Sequence, residues 1–369
     1  MDEITSSEVV RWTNGTPLHI KNVLRFSSVA TDSRSIRPHA LFIALQGERF
    51  DGHDFLDDAF ARGAKAALVA RKPSKHFPCI VVSDTLKGLG ALAGGYRKRF
   101  SCPIIGIAGS DGKTTTKEMT AAILETSYKI AATEGNLNNE IGLPISLFHL
   151  NASSDVGIFE MGMNAPGELS RLGHILQPTI GILTGIGYSH IGMLKNRRNL
   201  AEAKCEIFAS IQRNGMAAAS ADTPFSRLII QKSPVPVTFY GFSQKADFRG
   251  EIVQWTQEGF LLTVPSLHES FPINVWNGAL AYPALAAVWM GNQLGVAKEA
   301  IKEVLANFRP LRGRGMVIQA EGIEVFDESY NANPASMQNA LRYFAMIHAS
   351  RKIAVLGAMA ELGKRSGYY

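Results

Sequence analysis

The sequence predicts an α/β protein of more than one unit, in which a small N-terminal α/β unit precedes a central parallel-sheet unit and the opening of a third α/β unit. Three observations predict it. Short, continuously apolar runs alternate with helical patterns through the middle of the chain. A glycine-rich loop joins one such strand to one such helix. At 369 residues the chain is also too long for a single compact core.

In residues 1–98, apolar runs at 40–45 and 66–70 flank a helical pattern at 54–62, as a small α/β unit requires. The Pro-bearing stretch Ser101-Cys102-Pro103 then leads into residues 104–108, Ile-Ile-Gly-Ile-Ala. Continuous apolarity there reads as a parallel strand buried on both faces, opening a second domain over 99–310. Further strands are expected at 156–159, 179–183 and 216–219, with a polar helix at 200–211. This alternation predicts a parallel sheet covered by helices on both faces. Residues 241–272 read as β-rich with hairpin turns and precede a long apolar helix at 277–294. A third domain over 311–369 is expected to open with a strand at 323–326, a helix at 335–348 and a strand at 352–356. One strand-helix-strand unit is too little sheet to bury both faces of its helices, so this domain is expected to be incomplete.

Composition narrows the class. Apolar residues make up 46% and charged residues 19%, which suits a folded globular chain and excludes a disordered or fibrous one. The net charge of +6 is spread over short clusters such as Arg71-Lys72, Arg97-Lys98-Arg99 and Lys364-Arg365. Such clusters indicate solvated surface or contact with a polyanionic small molecule, rather than a stripe for nucleic acid. Cys79, Cys102 and Cys205 lie far apart with no CxxC pair, as expected in a reducing cytoplasm. The start Met-Asp-Glu-Ile lacks the order of a signal peptide, and no uncharged apolar run reaches the roughly 18 to 20 residues of a membrane span. Neither export nor a membrane segment is expected.

The strongest chemical signal is Gly109-Ser110-Asp111-Gly112-Lys113-Thr114-Thr115-Thr116, set between the strand at 104–108 and a helical run at 117–124. Glycines let backbone N–H groups close around phosphate oxygens, and the helix N-terminus adds the positive end of its dipole. In such a loop Lys113 reaches terminal phosphates and a Thr hydroxyl ligates Mg²⁺. The usual additional glycine is replaced here by Ile107, so the loop is a shortened GxxGKTT form. A glycine turn with a surface lysine is the alternative.

Other candidates are less specific by themselves. Glu160 follows the strand at 156–159, on the sheet edge where open α/β proteins place ligands, and would serve as a metal ligand. His190 offers an imidazole near that edge, although a lone histidine is more often a structural residue. Lys204 sits in a helical segment where the default is a solvated charge with i,i+4 partners. The amide-rich tract Gly135–Gly142, with Asn138 and Asn139, reads either as a turn or as a reader of a polar ligand. The same two readings apply to the Ser329–Pro334 tract, with Tyr330, Asn331 and Asn333.

Taken in order, the segments GSDGKTTTKEM, GNLNNEIGLP, EMGMNAPGEL, AKCEIF, PLRGRG and SYNANPASM resemble the Mur ligase family over nearly all of the chain. Within it they are most similar to the branch that adds D-alanyl-D-alanine to the UDP-linked peptidoglycan precursor. The N-terminal DSRSIRPHALFIALQGERFDGHDF is similar to that branch's UDP-binding domain. The resemblance implies a UDP-precursor-binding domain at 1–98, an ATP-binding domain at 99–310 and a partial Rossmann-like domain at 311–369. ATP and Mg²⁺ are the implied cofactors, UDP-N-acetylmuramoyl-tripeptide and D-alanyl-D-alanine the implied substrates, and a cytoplasmic monomer the implied setting.

Residue by residue, the resemblance implies that ATP is held by Gly109, Ser110, Asp111, Gly112, Lys113, Thr114 and Thr115, with Lys113 on the phosphates and Thr114 or Thr115 on Mg²⁺. Glu160 and His190 match second-metal ligands. Lys204 matches a lysine that the family carbamylates into an anionic, metal-supporting group. Asn277 matches an adenine contact and Arg314 an arginine directed at the phosphates. Ser33 and Arg34 match uridine-nucleotide positions, Asn138 and Asn139 precursor positions, and Tyr330, Asn331 and Asn333 the region of the incoming dipeptide. The implied chemistry is an acyl phosphate formed on the precursor's terminal carboxylate and displaced by the dipeptide amine. Four positions depart from the pattern: Gly185 for Asn, Ile273 for His, Glu328 for Asp and Ala358 for Asp. Together with the early end of the third domain, these departures raise a second expectation, a ligase scaffold that binds nucleotide or UDP-precursor without turnover.

Overall fold

The structure is a computed structural model that describes residues 1–187, 194, 196–256, 259–359, 362 and 367. Two compact units divide the chain: Met1–Ile104 with Ala131–Phe159 and His174–Gln177, and Ile105–Ile130 with Glu160–Gly173 and Pro178–Tyr369. Among the described residues no helix is long and apolar enough to cross a membrane.

In the first unit the chain runs β1 (Ile4–Thr5), α1 (Ser6–Thr13), β2 (Thr16–Leu18), β3 (Arg25–Phe26), β4 (Ser28–Ala30), β5 (Ala40–Ile43), α2 (Leu56–Ala61), β6 (Ala64–Val69), β7 (Cys79–Val81) and α3 (Thr85–Arg97). Five strands form a sheet in the order β2-β7-β6-β5-β4, parallel except for the β2–β7 edge. All four residues of β5 are buried, which is why its sequence lacks alternation. Phe42, Leu56, Ala59, Ala67 and Val69 pack into one core. Local chemistry sets the helix starts. Thr5 and Glu8 form a reciprocal capping box on α1, and the Asp84 carboxylate accepts the Leu86 and Lys87 N–H groups at the start of α3. One basic cluster departs from the solvated expectation. Arg97 is buried, and its guanidinium donates to the carbonyls of Leu176 (3.0 Å), Phe100 (2.6 Å) and Gln177 (3.2 Å).

The large sheet has seven strands: β8 (Ile104–Ala108), β9 (Ile130–Ala132), β10 (Val156–Glu160), β11 (Ile180–Leu183), β12 (Met216–Ser220), β13 (Val237–Gly241) and β14 (Phe248–Arg249). Their order is β14-β13-β12-β11-β8-β10-β9. From β8 the chain goes to the edge strand β9, comes back to β10 beside β8, and then builds β11 to β14 outward on the other side, so the strand order reverses at β8. Open α/β sheets bind ligands beyond the carboxyl ends of the strands at such a reversal, and the glycine loop leaves β8 there. The associated helices are α4 (Lys113–Glu125), α5 (Gly142–Leu147), α6 (Glu168–Leu176), α7 (Arg197–Ala209) and α8 (Ser226–Lys232).

The β-rich stretch is an antiparallel meander of β15 (Glu251–Trp255), β16 (Phe260–Val264) and β17 (Glu269–Ile273). Two helices follow, α9 (Ala281–Gln293) and α10 (Lys298–Asn307). Ten of the thirteen α9 residues are buried, as expected of a helix that is apolar all round. It packs against α4 so closely that a Cβ on Gly291 would come within 2.7 Å of Ile123.

The last segment differs from expectation. Instead of strand, helix and strand, it forms an antiparallel hairpin of β18 (Met316–Ala320) and β19 (Ile323–Asp327), then α11 (Pro334–Met346). Glu321 and Gly322 both take positive φ (49° and 80°), the two-residue turn whose twist suits a hairpin. The strand expected at 352–356 is absent. Residues 351–359 carry no regular structure, and Val355 is 93% exposed. Apolar β-branched residues favour a strand only where a neighbouring edge accepts their hydrogen bonds, and among the described residues 352–356 has none.

Candidate active site

The glycine loop has the backbone its sequence demands. Gly109 (φ 152°) and Gly112 (φ 75°) occupy conformations that L side chains avoid, and a Cβ on Gly109 would collide with Thr184 Oγ1. Gly112 is the N-cap of α4, its carbonyl accepting the Thr116 N–H at 2.8 Å, so the free N–H groups of the first turn face the loop. The end of β11 fixes the loop from outside. Ser110 N donates to Gly185 O at 3.0 Å, and Thr184 Oγ1 donates to Asp111 O at 2.6 Å. Sequence reasoning missed both contacts. Gly185 acts through its carbonyl, so that bond does not depend on the side chain expected there.

Lys113 Nζ donates to Gly109 O (3.0 Å) and Ser110 O (3.3 Å), which holds the ammonium over the loop. Thr114 Oγ1 donates to Glu160 Oε2 at 2.6 Å, joining the first turn of α4 to the last residue of β10. Glu160 is only 2% exposed. A carboxylate and a hydroxyl oxygen brought together at the positive end of a helix are the hard donors Mg²⁺ prefers, so this pair fits the expected cation. Ser110 Oγ is buried with no hydrogen-bond partner among the described residues, a polar group suited to a phosphate oxygen. Thr115 follows on α4, half-buried. His190 lies outside the described residues. Among the described residues no three His, Cys, Asp or Glu side chains cluster as a metal site.

Lys204 corrects the solvated reading, since it is 1% exposed within α7. The signal was in the sequence. Leu200, Ala201, Ile207 and Phe208 stand three and four residues either side, which places Lys204 on the apolar face of the helix. Two residues on, Glu206 is the anchor for α6, its carboxylate accepting the N–H groups of Gly167 (2.8 Å) and Ser170 (3.1 Å).

Four further pairs form within the second unit. Asn333 Nδ2 donates to Asp111 Oδ1 at 2.5 Å, and the Arg314 guanidinium lies 3.7 Å from the Tyr330 ring centroid, a cation–π contact. Asn331 Oδ1 accepts the Ala332 N–H at 2.9 Å. Asn277 Nδ2 donates to Glu328 Oε1 at 2.7 Å while its Oδ1 accepts the Ala279 N–H at 3.0 Å. Burial pushes the Glu328 carboxyl above its ordinary range, against the pull of the Asn277 hydrogen bond. A raised folded-state value means this group favours folding most below the unfolded value and loses that contribution as pH rises through the folded one. Glu328→Gln keeps an acceptor for Asn277 and removes the charge. It is therefore expected to raise Tm at pH 8 and leave it unchanged near pH 4; thermal melts at the two pH values check this, and equal shifts would refute it.

In the first unit, Ser33 is buried on a 3-10 turn capped by Asp32. Arg34 reaches back to that carboxylate with Nη2–Oδ2 at 2.7 Å and Nε–Oδ1 at 3.0 Å, and this hydrogen bonding holds the Asp32 carboxyl down at about 2. The amide-rich tract forms turns. Asn139 Oδ1 accepts from Ile141 N (3.1 Å) and Gly142 N (2.8 Å), and Asn138 N donates to Asn136 O (2.8 Å).

Comparison with known proteins gives matches along the whole chain. Family models match as the Mur ligase family catalytic domain at residues 25–93, the Mur ligase middle domain at 107–291 and the Mur ligase glutamate ligase domain at 313–368. The UDP-N-acetylmuramoyl-tripeptide–D-alanyl-D-alanine ligase of Bacillus subtilis (strain 168) is 34% identical over 362 residues, covering 97% of this chain and 78% of that protein. A crystal structure of MurF from Acinetobacter baumannii superposes with a TM-score of 0.93 at 30% identity, over 100% of this chain and 82% of that one. MurF ligase from Thermotoga maritima in complex with ADP gives a TM-score of 0.84 at 28% identity, over 92% and 79%.

Proposed function

The chain belongs to the Mur ligase family, and on that premise we propose that it joins D-alanyl-D-alanine to UDP-N-acetylmuramoyl-tripeptide, driven by ATP, in peptidoglycan precursor synthesis. A terminal carboxylate oxygen of the precursor attacks the γ-phosphorus of ATP, ADP leaves, and an acyl phosphate results. The dipeptide amine then attacks the acyl carbon, phosphate leaves, the amine proton is lost, and an amide bond remains. Positioning and charge neutralisation dominate such a reaction, because one anion must approach another.

The observation that carries the reading is the Thr114–Glu160 hydrogen bond at the mouth of a phosphate loop built at the reversal of strand order. Mg²⁺, when bound, supplies positive charge that screens the phosphates. Thr114 and Glu160 would hold it, with His190 and a carbamylated Lys204 assigned as supporting ligands. The loop N–H groups of residues 109–115 bind phosphate oxygens, Lys113 neutralises the terminal phosphates, Arg314 meets them from the third segment, and Asn277 contacts adenine. Ser33 and Arg34 take the uridine nucleotide, Asn138 and Asn139 the rest of the precursor, and the turn that carries Tyr330, Asn331 and Asn333 forms the region of the dipeptide. These roles divide the chain into precursor (1–98), ATP (99–310) and C-terminal (311–369) segments, which the family-model matches at 25–93, 107–291 and 313–368 support. A nucleotide-linked precursor and ATP place the reaction in the cytoplasm.

Phosphate release tests the proposal with ATP, Mg²⁺, UDP-N-acetylmuramoyl-tripeptide and D-alanyl-D-alanine, leaving out one component at a time. The expected result is release that needs all four. Nucleotide and precursor binding without release would overturn catalysis and establish the binding-only scaffold in its place.

A further inference from the structure

We infer that the Asp111–Asn333 hydrogen bond is a positioning link through which an anion bound at the phosphate loop steadies the N-terminus of α11; the inference rests on residues 109–116 being the nucleotide cradle. The two residues stand 222 positions apart, so the bond ties the loop to a distant segment of the same unit. Asn333 is buried and committed on every side. Its Oδ1 accepts the Ser336 N–H at 3.0 Å, its own N–H donates to Ser336 Oγ at 3.1 Å, and its carbonyl accepts the Met337 N–H at 2.9 Å. With the amide oxygen held by the helix N-cap, the amide nitrogen is the end that faces Asp111, and the orientation is fixed by the network. Asp111 is pinned as well, by the Thr184 hydroxyl on its carbonyl.

A carboxylate in a loop that cradles phosphates works against the loop, because like charges repel. A donor on that carboxylate offsets part of the repulsion, and its worth rises when a polyphosphate arrives. Coupling between two equilibria is reciprocal: if the link favours the bound anion, the anion favours the link by the same factor. Bound nucleotide therefore holds the start of α11, and the Tyr330–Asn333 turn that leads into it, more firmly than the loop alone does. Asn333 acts here through Asp111 as a positioning residue.

Substitutions can separate the link from the cap. Asn333→Asp preserves an N-cap acceptor, since Asp caps as well as Asn, but sets a carboxylate against Asp111. Adding Asp111→Asn restores one donor and one acceptor with the polarity reversed. The experiment follows amide hydrogen exchange of residues 333–337 in the full chain, with and without saturating MgADP, while calorimetry reports MgADP affinity. In the unsubstituted protein MgADP is expected to slow exchange roughly ten-fold, a coupling of ordinary size. Asn333→Asp should lose that slowing at saturating MgADP, and the double variant should regain it. Retained slowing in Asn333→Asp, or a double variant that stays uncoupled, overturns the link while leaving the ligase reading intact. Failure of the unsubstituted chain to bind MgADP would overturn both.

Discussion

Lys113→Ala is expected to lower kcat for phosphate release by about three orders of magnitude, or ~4 kcal/mol of transition-state stabilisation, with little change in Tm. The side chain is half-buried, and its hydrogen bonds go to two carbonyls of its own loop, Gly109 O and Ser110 O, so the fold does not depend on it. Alanine is also well tolerated in the first turn of a helix. What disappears is the only ammonium in the loop Gly109–Thr116, at the point where negative charge accumulates as the precursor carboxylate approaches the γ-phosphate. Lys113→Arg should recover only part of the rate, because a planar fork does not occupy the space of a compact ammonium. Single-turnover phosphate release and a thermal melt on the same preparations decide the matter. A rate within ten-fold of the unsubstituted enzyme at unchanged Tm would remove Lys113 from the chemistry.

The second large effect is expected at Glu160. Glu160→Gln keeps the volume of the side chain and an acceptor for the Thr114 hydroxyl, whose bond to Glu160 is 2.6 Å long. It removes one negative charge from a position that is 2% exposed. If that charge holds Mg²⁺, the variant should need about ten-fold more Mg²⁺ for half-maximal rate and lose about two orders of magnitude in kcat at saturation. Tm should stay level or rise, because a buried carboxylate no longer has to be desolvated. A titration with an unaltered Mg²⁺ midpoint and an unaltered rate would assign Glu160 a structural task alone, that of fixing Thr114.

Much of the site was legible as sequence because its grammar is local. The strand at 104–108, the two glycines, Lys113 and the following helix fall within about twenty residues, and each has a composition that its backbone requires. Lys204 was legible too, although charge type suggested solvent: the apolar residues three and four positions away outweigh the lysine itself and turn that face inward. The pairing of Asp111 with Asn333 and of Asn277 with Glu328 could not be read, since neither member carries a mark of its partner. The same holds for Thr184 and Gly185, whose part in shaping the loop is visible only once β11 lies beside β8.

The sequence by itself determined the alternation of strands and helices, the buried character of β5, β8 and α9, the phosphate-loop turn and the family. Each of these depends on periodicity or on backbone preference over a few residues, which the chain carries at every point along its length. Tertiary structure alone decided that β8 would lie between β11 and β10, that residues 316–327 would close into a hairpin, and that 352–356 would remain without a strand. Strand formation depends on an available neighbouring edge as much as on the residues themselves. That edge is supplied by chain far away in sequence, so an apolar run can announce a strand and still find nothing to pair with.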